Sequence, residues 1–138
     1  MKKLLLLSAL LIFACSYGQD EETVPVYPGC KIKASNSEKR KCMSSAISEF
    51  VVRKFDTDTA KDLGLSGRQR IAVIFKIDKK GYVKDIRVRA PHPRLEKEAI
   101  RVINMLPRMI PGTVNGQPVV VPYSLPITFQ VAPSAATK

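Results

Sequence analysis

The chain has 138 residues, 45% hydrophobic and 25% charged, which suits one globular domain and excludes a wholly disordered chain, a collagen-like repeat or a polytopic membrane protein. Lys and Arg number 23 against 12 Asp and Glu, a formal net charge of +11 that points to a polyanionic partner or surface. The single histidine removes any chemistry that needs two imidazoles.

Residues 1–18 read as an export segment. Met1-Lys2-Lys3 is positive, Leu4 to Ala14 is apolar apart from Ser8, and small and polar residues follow. The apolar run is shorter than the roughly 17–25 residues of a spanning helix. Cleavage after Gly18 would release a soluble periplasmic chain starting at Gln19. The alternative is the lipobox-like Ile12-Phe13-Ala14-Cys15, which would leave a lipoprotein anchored through Cys15. Phe13 is bulky for a lipobox, so soluble release is the expectation. Loss of residues 1–18 lowers the charge only from +11 to +9, so the basicity belongs to the folded part.

Cys30 and Cys42 then remain, an even pair in an oxidising compartment. A metal pair would need further ligands, and a redox dithiol would favour Cys-x-x-Cys spacing. A structural Cys30–Cys42 disulfide is expected.

Residues 19–25 read as a short polar tail, and Val26 to Cys30 as an extended segment with a turn. Ser37 is the expected N-cap of a helix over 38–54, in which Met43, Ala46, Ile47, Phe50 and Val51 share one face. Asp56-Thr57 caps a second short helix with Ala60 and Leu63, closed by Gly64. Ile71, Val73, Phe75 and Ile77 alternate along a strand, Asp78-Lys79-Lys80-Gly81 turns, and Ile86, Val88 and Ala90 face inward on the return. Val83 is out of phase with them, which predicts a bulge or an early twist near the turn. Leu95, Ala99, Val102, Ile103 and Leu106 form a helical stripe over 94–106, stopped by Pro107. Asn115-Gly116 signals a turn and Val119–Val121 a short strand arm. Leu125, Ile127, Phe129 and Val131 alternate as a last strand, with Pro126, Thr128 and Gln130 on the opposite face. Pro126 predicts an edge position, because proline cannot donate to a ladder. Residues 132–138 read as a frayed tail. The expected fold is α+β, a three-stranded antiparallel sheet with helices on one face plus an N-terminal disulfide-linked helix.

From about Val26 to Val131 the sequence resembles the TonB C-terminal domain family. The resemblance is carried by Ala60–Gly67, by Ile71–Val83, by Leu95–Val102, by Leu106–Gly112 and by Pro118–Phe129, in that order and spacing. Pro28-Gly29-Cys30 with Cys42 is similar to a cysteine-bearing branch of the family. The resemblance implies a domain that binds a segment of an outer-membrane receptor by strand addition, in TonB-dependent transport. It puts the docking edge on Leu125, Pro126, Ile127, Thr128, Phe129, Gln130 and Val131. The family's energy transducers carry a spanning helix and a long Pro-rich spacer. Here the apolar segment reads as cleavable and the seven residues 19–25 reach about 25 Å at most, so partner binding is the part of the resemblance carried over.

No catalytic constellation, metal set or cofactor motif is expected. His92 stands between two prolines without a paired carboxylate, Glu96 and Glu98 are first-turn helix charges, and Ser44, Ser45 and Ser66 have no base partner. Gly64 and Gly67 fail the phosphate-loop spacing. Basic residues gather near the cysteines (Lys31, Lys33, Lys39, Arg40, Lys41) and around the hairpin (Arg68, Arg70, Lys76, Lys79, Lys80, Lys84, Arg87, Arg89). Nucleic acid is not an expected partner of an exported chain whose sheet offers mainly Tyr82 for stacking. The alternative reading is a basic structural protein that binds an anionic envelope surface without an energy-transducing role.

Overall fold

The computed structural model describes residues 18–133. The expected export segment and Cys15 lie outside the described residues, apart from Gly18, as does the tail from residue 134 onward. No helix among the described residues is long and apolar enough to cross a membrane.

Strand β1 is Glu22–Thr23, helix α1 Asn36–Lys54 and helix α2 Asp58–Asp62. Strands β2 (Gly67–Ile77) and β3 (Val83–Arg89) form the hairpin, helix α3 is Pro93–Asn104, and β4 (Thr113–Val114), β5 (Gln117–Pro118) and β6 (Val121–Val131) follow. The main antiparallel sheet has the order β3-β2-β6, and a smaller sheet has the order β1-β4-β5. The α+β expectation stands, with the second sheet added.

Period-two alternation explains the main sheet. Ile71, Val73, Phe75 and Ile77 of β2 are fully buried, and the residues between them are exposed. They meet Met43, Ile47 and Val51 of α1 and Leu95, Ala99, Val102 and Ile103 of α3 in one core. The sheet starts earlier than its apolar run suggests, because β2 pairs with β6 over eleven positions, from Gly67↔Val131 to Ile77↔Val121. For the same reason the arm expected at Val119–Val121 is no separate strand. Val119 donates to the Gly112 carbonyl at 2.9 Å, and Val121 opens β6. The predicted bulge is present. Asp85 and Ile86 both oppose Phe75, and Asp85 takes φ +51°.

Two helix starts differ from expectation. Ser35, not Ser37, caps α1, because its hydroxyl accepts from the Glu38 N–H while the Glu38 carboxylate accepts from the Ser35 N–H, a reciprocal capping box. That hydrogen bonding holds the exposed Glu38 carboxyl below its usual range. His92 is the N-cap of α3, its Nδ1 accepting from the Arg94 N–H at 3.1 Å, so it has a structural task beyond a loop position.

Residues 20–23 are not a tail. The Asn115 side chain accepts from the Glu21 N–H at 2.9 Å, and the Asn36 amide donates to the Glu22 carbonyl while accepting from the Val24 N–H. Val24 and Val26 are buried, and Val26 exchanges two 3.0 Å backbone hydrogen bonds with Ile110. The Cys30–Cys42 disulfide, with Cα atoms 6.0 Å apart, ties the loop after this segment to α1. By loop entropy a closure of this separation stabilises by about 3 kcal/mol.

Candidate functional site

A sheet of order β3-β2-β6 has two edges, and they are built differently. The β3 edge is seven residues long, carries Lys84, Arg87 and Arg89, and is kinked by the bulge at Asp85. Charge, shortness and a bulge are the usual defences against unwanted strand pairing. The β6 edge is eleven residues long, and no Lys, Arg, Asp or Glu occurs from Pro118 to Val131.

Backbone parity defines what that edge offers. Within an antiparallel strand, the N–H and C=O of one residue point to the same side, and successive residues alternate. A proline is accommodated with its nitrogen to the unpaired side. Pro122 and Pro126 share parity and lie opposite Lys76 and Ala72 of β2. Ser124, Thr128 and Gln130 therefore aim their N–H and C=O at the open edge, while the two prolines offer only carbonyls. The edge is a row of hydrogen-bonding groups with two donors missing, which permits a short docked strand and opposes open-ended stacking.

Helix α1 supplies a wall beside this row. Phe55, just past its C-terminus, packs on Phe129 with ring centroids 5.0 Å apart. Nearer the helix start, the Ser44 and Tyr123 hydroxyls hydrogen-bond at 2.5 Å. Helix and strand thus run in the same direction. Between them lies a groove of about 230 Å³ formed by Ser48, Val51 and Val52 with Leu125–Thr128. A second depression of about 280 Å³ lies against Arg40, Met43 and Val121–Tyr123. Arg40, Ser44, Ser48 and Val52 stand four residues apart, the spacing of one helix ridge.

Leu125, Ile127 and Val131 are buried on the helix side, and Phe129 is half-buried there. Pro126, Thr128 and Gln130 are exposed on the other face. The α1 wall and Ser124 were not anticipated. Val52 was the available signal, an apolar residue off the buried stripe of α1 and 68% exposed. Cys30 and Cys42 are bonded to each other.

The residues weighed for chemistry have structural partners. Glu96 accepts from the Ala90 N–H at 3.3 Å. Glu98 accepts from the Asp56 N–H at 2.9 Å and pairs with Arg101, whose guanidinium also donates to the Lys54 carbonyl at 3.0 Å. The Arg101 hydrogen bonds are the main reason the Glu98 carboxyl lies below its ordinary range. This pair fastens α3 to the end of α1. Among the described residues no group of three His, Cys, Asp or Glu side chains could hold a metal ion.

No curated protein matches the chain. The family described as the Gram-negative bacterial TonB protein C-terminal matches residues 58–131, more than half of the chain, from α2 through the hairpin and α3 to the last residue of β6. With that span and this α+β architecture, the chain belongs to the TonB C-terminal domain family.

Proposed function

We propose that this protein binds a short extended segment of an outer-membrane receptor as an added strand on β6, in the periplasm, as part of TonB-dependent transport. The observation that carries the reading is the contrast between the two edges. The β3 edge is charged and bulged, whereas β6 is long, uncharged and open. Family membership supports the transport context and an envelope location. Backbone hydrogen bonds from Ser124, Thr128 and Gln130 supply affinity, and the α1 groove receives alternate side chains of the guest strand. The mature chain begins at Gln19 in this reading, with lipidation at Cys15 as the alternative.

Gln130→Pro tests it. The Gln130 N–H points away from β2, so the substitution leaves the β2–β6 ladder intact and removes one donor from the open edge. Binding of a receptor segment, measured by titration calorimetry, should weaken about two- to tenfold, the worth of one backbone hydrogen bond. Thermal stability should stay near that of the parent chain. Unchanged affinity, with the fold intact, would place the contact elsewhere.

A further inference from the structure

Among the described residues nothing packs on the face of the main sheet opposite the helices. The exposed positions of β2 are Arg68, Arg70, Ala72, Ile74 and Lys76. Across the hairpin, Lys84 lies opposite Lys76, Arg87 opposite Ile74, and Arg89 opposite Ala72, so all three share that face. The β6 positions on the same face are Pro122, Ser124, Pro126, Thr128 and Gln130, none charged. Six cations are thus concentrated on the β2–β3 half of the face. Among the described residues Asp85 is the carboxylate that pairs with them, 3.4 Å from Lys76. Like charges directly across a ladder repel, and an anionic surface relieves that repulsion.

The patch is not purely polar. Ile74 stands at its centre and is 52% exposed. At the hairpin end, the exposed Tyr82 and Val120 line a depression together with Lys79, Lys80 and Lys84 and the turn carboxylate Asp78, whose oxygen accepts from the Lys80 and Tyr82 N–H groups. Basic side chains interleaved with apolar and tyrosyl ones match a lipid headgroup layer, where the charge meets phosphate and the apolar groups reach the acyl boundary. An acyl boundary takes up the aliphatic Ile74 and Val120 more favourably than a hydrated polysaccharide does.

We propose that the open β2–β3 face binds the surface of an anionic phospholipid bilayer. This interaction is independent of strand addition at β6. A sheet lying on a membrane by this face holds the β6 edge alongside the bilayer, unobstructed.

The test is sedimentation of the full chain with vesicles of phosphatidylcholine alone, or with roughly one lipid in three replaced by phosphatidylglycerol. Binding is expected to the anionic vesicles and to fall steeply as salt rises from about 0.1 to about 0.5 M. The double variant Arg87→Gln/Arg89→Gln should bind about 25-fold more weakly, about fivefold per charge. The double variant Arg94→Gln/Lys97→Gln removes two exposed charges from α3 and should change binding less than about twofold. All variants keep the same N-terminal segment, so its contribution cancels. Should the first double variant lose its far-UV circular dichroism, Arg70→Gln alone should still show the fivefold loss. Equal losses in the two double variants would overturn the proposal in favour of net charge. So would equal binding to neutral vesicles, or displacement by a lipid-free polyuronate at matched charge, which would make the face a polysaccharide site.

Discussion

Replacing Gly81 by alanine is expected to destabilise the domain by at least about 3 kcal/mol. Gly81 has φ +89°, a conformation that side-chain-bearing residues rarely adopt, and a Cβ there would lie 1.7 Å from the Met109 carbonyl oxygen. The obstacle is backbone and cannot rotate away. The approach is close because the Met109 N–H donates to the Gly81 carbonyl at 2.9 Å, which joins the hairpin turn to the segment leaving α3. Arg108 reinforces the join by donating to the Lys80 carbonyl at 2.7 Å and lying 5.3 Å over the Tyr82 ring. An added methyl group would force the two segments apart. Urea unfolding of Gly81→Ala measures the effect. A loss below about 1 kcal/mol would contradict this account of the turn, since at a position without strain the same replacement is neutral or stabilising.

Phe75→Ala should cost about 3–5 kcal/mol. Phe75 is fully buried at the middle of the central strand, under the bulge of β3 on one side and 5.3 Å from the Tyr123 ring of β6 on the other. Truncation leaves a cavity between both neighbours, which the paired strands cannot collapse to fill. Domains of this size have about 5–15 kcal/mol in all, so the variant should be close to unfolding near body temperature. Because Tyr123 also bonds Ser44, the same change should loosen the start of β6 from α1. A thermal midpoint within a few degrees of the parent would show that the core repacks around the gap.

The sequence exposed some of these features and hid others, for physical reasons. The β2–β3 hairpin is legible because burial of one face imposes strict alternation, and the phase break between Val83 and Ile86 brackets the bulge at Asp85. Pro126 indicated an edge strand because of what its nitrogen lacks, and β6 is at the edge. The small sheet left no periodic trace, since its three strands have two residues each. Its pairing depends on the Asn36 and Asn115 side chains, which read in the sequence as helix-start and turn residues. The choice of Ser35 over Ser37 rests on the spacing to Glu38, a three-residue step that the nearer serine obscured. Gly81 was legible as a turn glycine, but its contact with Met109 joins residues 28 apart, beyond any local pattern. The α1 wall of the candidate site was hidden for the same reason. Arg40, Ser44, Ser48 and Val52 form a flank only once the helix lies along β6.

If a receptor strand completes the backbone edge of β6, the outward amides of β6 must be free before it binds and bonded after. Amide hydrogen exchange at single-residue resolution tests this most directly. In the free protein Tyr123, Leu125, Ile127 and Phe129 should exchange slowly through their bonds to β2, while Ser124, Thr128 and Gln130 exchange fast. Addition of a synthetic receptor segment should slow Ser124, Thr128 and Gln130 and leave the β3 amides as they were. Protection of those three amides before the segment is added, or new protection arising on β3 instead, would contradict the account.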